Sequence, residues 1–236
     1  MLIRNAYRRL REHGLRATMR HAVDRLQVMV NEWWLGIGTA GMRTQSELGH
    51  SDPDCHNYCP TDYRSFRTVM RTVPIRPGRD VFLDYGSGLG RVLILAGEHP
   101  FRRILGVELS HELNVLAAAN IRAARPKLTC RDIELAEADA TAFEVPPDVT
   151  VFYFYNPFKG QVLRQVLDQI ESSVRRNPRQ ITIVYKNPAH FEAEAAGRPW
   201  LAKRAEFTRV GPHAYVVYDN EHSLTAPPGA GAVTRR

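Results

Sequence analysis

Residues 81–92, VFLDYGSGLGRV, set an apolar run directly before three glycines spaced by single residues. Val81, Phe82 and Leu83 favour extended backbone, and from Arg91 the apolar residues return at helical spacing, so the stretch predicts strand, turn and helix in order. Gly86, Gly88 and Gly90 have no Cβ, which opens the left-handed region to the turn and lets a ligand approach the backbone. The helix that follows offers unpaired N–H groups and the positive end of its dipole, so an anionic or polar ligand is expected there.

Two cofactor classes use such a turn. The dinucleotide fingerprint GxGxxG needs a third small residue where helix and strand pack closely. Here Arg91 holds that position, and the third glycine comes one residue early. Asp84, two residues before the first glycine, would repel a pyrophosphate and attract a cationic amino acid moiety. The pattern resembles motif I of the class I S-adenosylmethionine-dependent methyltransferases, D/ExGxGxG. The resemblance implies that Gly86, Ser87, Gly88 and Gly90 shape the methionine and ribose side of a cofactor site, with Asp84 near its amino acid end.

Later landmarks fit the same reading. ILGVEL, residues 104–109, predicts a second buried strand ending in Glu108, 22 residues after Gly86, where a carboxylate suits a ribose diol. The plainer alternative makes Glu108 a solvated acid beside a Ser110 N-cap. After the helical stretch HELNVLAAANIRAA comes IELAEADATAF, a short charged strand. Here the resemblance implies that Asp139 receives the adenine amino group and the Ala140 N–H meets a ring nitrogen, with Glu137 a competing acid.

DVTVFYFYNPF, residues 148–158, carries a β-branched and aromatic run typical of a central strand covered on both faces, interrupted by Asn156, Pro157 and Phe158. NPF resembles the [DNS]PP[YFW] motif of amino-group methyltransferases, in which the polar side chain and a proline carbonyl hold the substrate nitrogen. One proline is missing here. The resemblance implies that Tyr155, Asn156 and Phe158 frame a methyl acceptor; the alternative is an Asx/Pro turn with a packing Phe. Tyr63 and His190 are further candidates to close the site or act as base.

GQVLRQVLDQIESSV then predicts an amphipathic helix, QITIVYKN a fifth strand, and AEFTRVGPHAYVVYD two strands of an antiparallel hairpin. The expected fold is α/β: a Rossmann-like class I methyltransferase with a seven-stranded, mostly parallel sheet, a C-terminal antiparallel hairpin and an N-terminal helical extension. The family resemblance spans residues 58–190, through YxPT (58–61), DYGSGxGR (84–91), PFxRxxGVELS (100–110), YNPF (155–158) and VYxNP (184–188). It is closest to a bacterial-type family within that superfamily. The organisation expected is a basic helical arm over 1–36, a loop-rich lid or linker over 37–75, the cofactor domain over 76–222 and a disordered tail over 223–236.

Charge narrows the partners. The net charge is +7, yet residues 1–36 hold seven arginines against Glu12, Asp24 and Glu32, and Arg235 and Arg236 add two more. Residues 37–234 carry 23 basic and 22 acidic side chains, so the core is almost neutral. That argues against a phosphate-tracking surface and against nucleic acid as partner. In the arm, Leu15, Met19, Ala22, Val23, Leu26, Met29, Val30 and Trp33 mark one helical face. Three readings of residues 15–35 stand open: a lid packed on the domain, a peripheral contact with an acidic membrane, or a contact with a macromolecular substrate. Trp33 and Trp34 suit an interface or a buried anchor.

His50, Cys55, His56 and Cys59 have only loose metal-ligand spacing and Cys130 is distant, so no metal is expected. With no long uncharged apolar run and no secretory h-region, the expected location is cytoplasmic. The function expected is S-adenosylmethionine-dependent methyl transfer to a nucleophile, an amine on a protein or a small molecule. A nucleic-acid methyltransferase, a non-catalytic S-adenosylmethionine-binding relative and an NAD-dependent oxidoreductase are the alternatives. Oligomeric state and acceptor identity do not follow from the sequence.

Overall fold

The computed structural model describes residues 2–42, 44, 54–56, 58–208 and 210–221. His50 and the expected tail from residue 223 lie outside them. Seven strands form one sheet: β1 (Val81–Tyr85), β2 (Arg103–Glu108), β3 (Ile133–Glu137), β4 (Val149–Tyr155), β5 (Thr182–Lys186), β6 (Ala202–Phe207) and β7 (Tyr215–Asp219). Their order is β3-β2-β1-β4-β5-β7-β6. β1 to β5 pair in parallel, and β7 inserts antiparallel between β5 and β6. The protein therefore has a Rossmann-like sheet, with its antiparallel hairpin at one edge.

Local chemistry explains the helices. α4 (His111–Ala124) starts at the Ser110 N-cap, whose hydroxyl accepts from the Leu113 N–H at 3.3 Å. α2 (Tyr63–Met70) starts at Asp62, which accepts from the Ser65 N–H at 2.8 Å. Short α3 (Arg91–Ala96) is entirely buried behind the glycine turn. α5 (Gly160–Arg176) turns Leu163, Val166, Leu167, Ile170 and Val174 to the sheet, and α6 (Phe191–Ala196) packs beside it.

The alternation of β4 divides the core. Val151 and Tyr153 face a cluster with α2 and α3; Phe152 and Phe154 face a second with α5 and α6. On the second face Tyr85, Phe154, Tyr185 and Phe191 stack in sequence, with ring centroids 5.1, 5.2 and 4.4 Å apart. That ladder underlies the carboxyl ends of β1, β4 and β5. The sheet's order reverses between β1 and β4, and open α/β sheets bind ligands in the crevice such a reversal leaves.

α1 (Leu2–Leu35) is broken at Gly14 (φ 79°, ψ 169°), and its last turns pack on the domain. Leu35 is buried, Val28 packs on the first core cluster, and Asn31 and Glu32 bond to the domain. These residues share one side of the helix at i, i+3, i+4 and i+7. The apolar stripe from Leu15 to Trp33 lies on the opposite side and is exposed, Trp33 at 83% and Trp34 at 51%. The helix docks through Asn31 and Glu32 together with Leu35 and Val28, on the side away from the stripe. No helix among the described residues is long and apolar enough to cross a membrane.

Candidate functional site

All three glycines of the turn adopt positive φ: 74° at Gly86, 53° at Gly88 and 80° at Gly90. Gly86 and Ser87 donate to the Val107 carbonyl at the end of β2, at 2.9 and 3.1 Å, which folds the turn over that strand. A Cβ at Gly86 would lie 2.9 Å from Pro157 Cβ, so the loops after β1 and β4 touch at the switch point. Gly90 caps α3 in the left-handed conformation and closes on Ala117 of α4.

At Gly88 a Cβ would meet the Tyr58 ring at 2.3 Å. Tyr58 lies flat on the turn and donates to the Thr39 carbonyl at 2.9 Å; its burial pushes the phenol pKa upward. Gly88→Ala is therefore expected to cost roughly 1–2 kcal/mol for left-handed backbone, plus the displacement of Tyr58. Thermal unfolding of Gly88→Ala, Tyr58→Ala and the double variant checks this. The double variant should be less destabilised than the sum of the singles.

A cavity of about 370 Å³ opens beside the turn. It brings together Gly86, Glu108, Asp139, Ala140, Tyr155 and Phe158 of the sequence candidates. Glu108 is half-buried and accepts from the Gly88 N–H at 2.9 Å and the Ser110 N–H at 3.0 Å. Its carboxylate thus ties the glycine turn to the start of α4. Asp139 accepts from the Thr141 N–H and hydroxyl, both at 2.8 Å, and fixes the loop after β3. Glu137 instead meets His111 Nδ1 at 2.7 Å and does not line the cavity.

Asp84 and Ser87 reach a small adjoining pocket of about 20 Å³ with Tyr58, Arg91 and Tyr153. Burial drives the Asp84 pKa well above the usual carboxylate range, and the nearby Glu108 charge adds to it. Ser87 Oγ is buried with no hydrogen-bond partner. An unpartnered donor and a crowded pair of acids form a setting that a cation bearing hydrogen-bonding groups would relieve.

The acceptor-side candidates separate. Tyr155 and Phe158 face the cavity, whereas Asn156 turns away, its Oδ1 accepting from Tyr185 Oη at 3.4 Å. Asn156 holds φ 42°, a conformation Asn tolerates. The Pro157 carbonyl accepts from the His56 N–H at 2.9 Å, and Cys55 pairs antiparallel with Phe158. Residues 54–56 thus strap the NPF loop. His190 stacks on His56 with centroids 6.1 Å apart, and Tyr63 lies buried against Arg91 rather than in the cavity. Cys55, His56 and Cys59 form no metal-binding group of three among the described residues.

Two groups have partners that the sequence did not show. Arg91 is buried: Nε donates to Thr39 Oγ1 at 2.7 Å, Nη1 to the Thr61 carbonyl at 3.0 Å and Nη2 to Glu32 Oε1 at 2.9 Å. Lys186, 1% exposed at the end of β5, pairs with Asp62 Oδ2 at 3.1 Å. Its Nζ lies 3.9 Å from the Tyr155 ring centroid. Burial lowers the Lys186 pKa against the pull of Asp62. The signal was a charged residue closing the strand TIVYK, which is otherwise uncharged, inside the VYxNP stretch.

Among solved structures the chain is similar to an RNA methyltransferase from Salinibacter ruber in complex with S-adenosyl-L-homocysteine: 19% identity, TM-score 0.52, covering 69% of this chain and 94% of that one. It is also similar to a ribosomal protein L11 methylase from Lactobacillus delbrueckii subsp. bulgaricus, at 16% identity and TM-score 0.50, over 67% of this chain and 77% of that one. A third is a SAM-dependent methyltransferase from Aquifex aeolicus, at 12% identity and TM-score 0.50, over 65% and 88%. At these identities the likeness is one of fold. No protein-family model and no curated protein matches the sequence.

Proposed function

We propose that the protein is an S-adenosylmethionine-dependent methyltransferase acting on an amine of a protein or small molecule. The observation that carries this reading is the convergence of Gly86, Glu108 and the Asp139–Ala140 loop on one cavity at the switch point of the sheet; Gly88 and Gly90 shape the turn without lining it. The residues present fit the cofactor. The left-handed turn holds Gly86 at the cavity, the buried Ser87 Oγ has no hydrogen-bond partner, and the Asp84–Glu108 pair suits a ligand carrying positive charge.

When bound, the cofactor supplies an activated sulfonium methyl, so the chain's task is alignment and exclusion of water. Glu108 accepts the ribose hydroxyls, Asp139 and the Ala140 N–H take the adenine edge, and Asp84 faces the ammonium end. Tyr58 and the 54–56 strap close the turn from solvent. Tyr155 and Phe158 form the aromatic wall for the acceptor, and Asn156 holds the loop that presents them. An amine acceptor must offer its lone pair to the methyl group and so reacts in its neutral form.

Radiolabelled methyl transfer from S-adenosylmethionine into host lysate, divided by size and treated with protease or nuclease, tests the reading. Label in protease-sensitive or filterable material supports it. Nuclease-sensitive label makes the acceptor a nucleic acid, and cofactor binding without label makes the protein a non-catalytic relative. Asn156→Gly, which keeps the left-handed turn while removing the amide, is expected to leave cofactor affinity unchanged. It should lower turnover by about tenfold, the worth of roughly one hydrogen bond that positions the loop. Initial rates at saturating cofactor check this; unchanged turnover makes the Asn156 amide dispensable.

A further inference from the structure

We propose that α1 seats the protein on an anionic lipid surface through its outward apolar stripe. The inner side of the helix is already committed: Leu35 is buried, Asn31 and Glu32 bond to Arg67 and Arg91, and Val28 packs on the core. The outward side carries Leu15, Met19, Val23, Leu26, Met29 and Val30, each more than half exposed. Such a continuous stripe is too long to be scattered surface apolarity and needs a cover.

Charge selects the cover. Residues 1–36 hold seven of the 32 basic side chains and three acids, net +4, beside a core of nearly balanced charge. A second copy of the helix would set that positive charge against its like, whereas a phosphate-bearing bilayer surface complements it. Trp33, exposed at 83% at the end of the stripe, suits the headgroup layer, where an apolar ring and an N–H are both accommodated; Trp34 beside it is held by Lys127 of the domain, 5.0 Å from its ring centroid. The helix would lie in the interface rather than span it, since no described helix has the apolar length to cross. This assignment is independent of the methyltransferase reading.

The test is co-sedimentation of the full chain with phosphatidylcholine vesicles, with and without phosphatidylserine, followed also by tryptophan emission. Binding to the phosphatidylserine vesicles alone, weakening with salt and shifting the emission to the blue, is the expected result. Leu26→Glu/Met29→Glu, two exposed positions, should reduce that binding by about tenfold or more with an unchanged circular dichroism spectrum. No binding, or equal binding to both vesicles, overturns the proposal. So does a lipid-free dimer that the same variant dissolves, in a protein that ignores vesicles; the stripe then belongs to a second copy.

Discussion

Arg91→Leu is expected to destabilise the fold by about 3 kcal/mol, the lower end of what breaking a buried ion pair costs when its partner stays charged. The lower end applies because the Glu32 side chain keeps 15% of its exposure, against 4% for Arg91. The guanidinium is also the donor to Thr39 Oγ1 and the Thr61 carbonyl, and lies 4.8 Å from the Tyr63 ring centroid. Its loss therefore removes the links from the start of α3 to Glu32, Thr39 and Thr61 together. Glu32→Gln should cost less, because an amide oxygen can still accept from the Thr39 N–H and hydroxyl, now both at 2.8 Å. Urea denaturation of the two variants and their double measures the coupling. A loss of under about 1 kcal/mol for Arg91→Leu would make the cluster a surface-grade pair.

The same residue shows what a sequence yields and what it withholds. Arg91 was legible as a misfit to the dinucleotide fingerprint, since a side chain that large blocks close packing of helix on strand. Its partners were not legible, because Glu32 lies 59 positions away and Thr39 52. Local signals did fix local elements: the apolar run 149–155 is β4, and the stretch 111–124 after Ser110 is α4. Glu108 was legible from its strand-end spacing, whereas Asp139 came from the family resemblance, with Glu137 as a rival acid.

Pairings across the fold did not follow. Lys186 reaches Asp62 over 124 positions, and no periodicity announces such a bond. The arm is the sharpest case. Helical spacing identified which residues share a face, but not which face docks. Hydrophobicity left a lid, a membrane contact and a substrate contact all open, and the ion pair at Glu32 sets which side of the helix meets the domain. The polar side wins that contest because Arg91, buried behind Gly90, needs a counter-charge that an apolar stripe cannot provide.

Glu108→Ala is expected to weaken S-adenosylmethionine binding by roughly 10- to 150-fold, from about 1.5–3 kcal/mol for hydrogen bonds to a charged group. The carboxylate has two duties that the experiment can separate. It already accepts from the Gly88 and Ser110 N–H groups at 2.9 and 3.0 Å, so part of the loss arises before any ligand arrives. Each carboxylate oxygen has a second lone pair, which leaves acceptor capacity for a ribose diol while both backbone bonds persist. Glu108→Gln keeps one oxygen acceptor and loses the charge, so it should fall between wild type and Ala in affinity. Relief of repulsion on Asp84 partly offsets its loss, because the Glu108 charge is what adds to the burial of that acid. Calorimetric titration with S-adenosylmethionine, paired with urea denaturation of the ligand-free variants, distinguishes the duties. Affinity that drops far more than stability assigns Glu108 to the ligand; stability that drops with affinity unchanged returns it to a strut between the glycine turn and α4, and the cofactor assignment at this position fails.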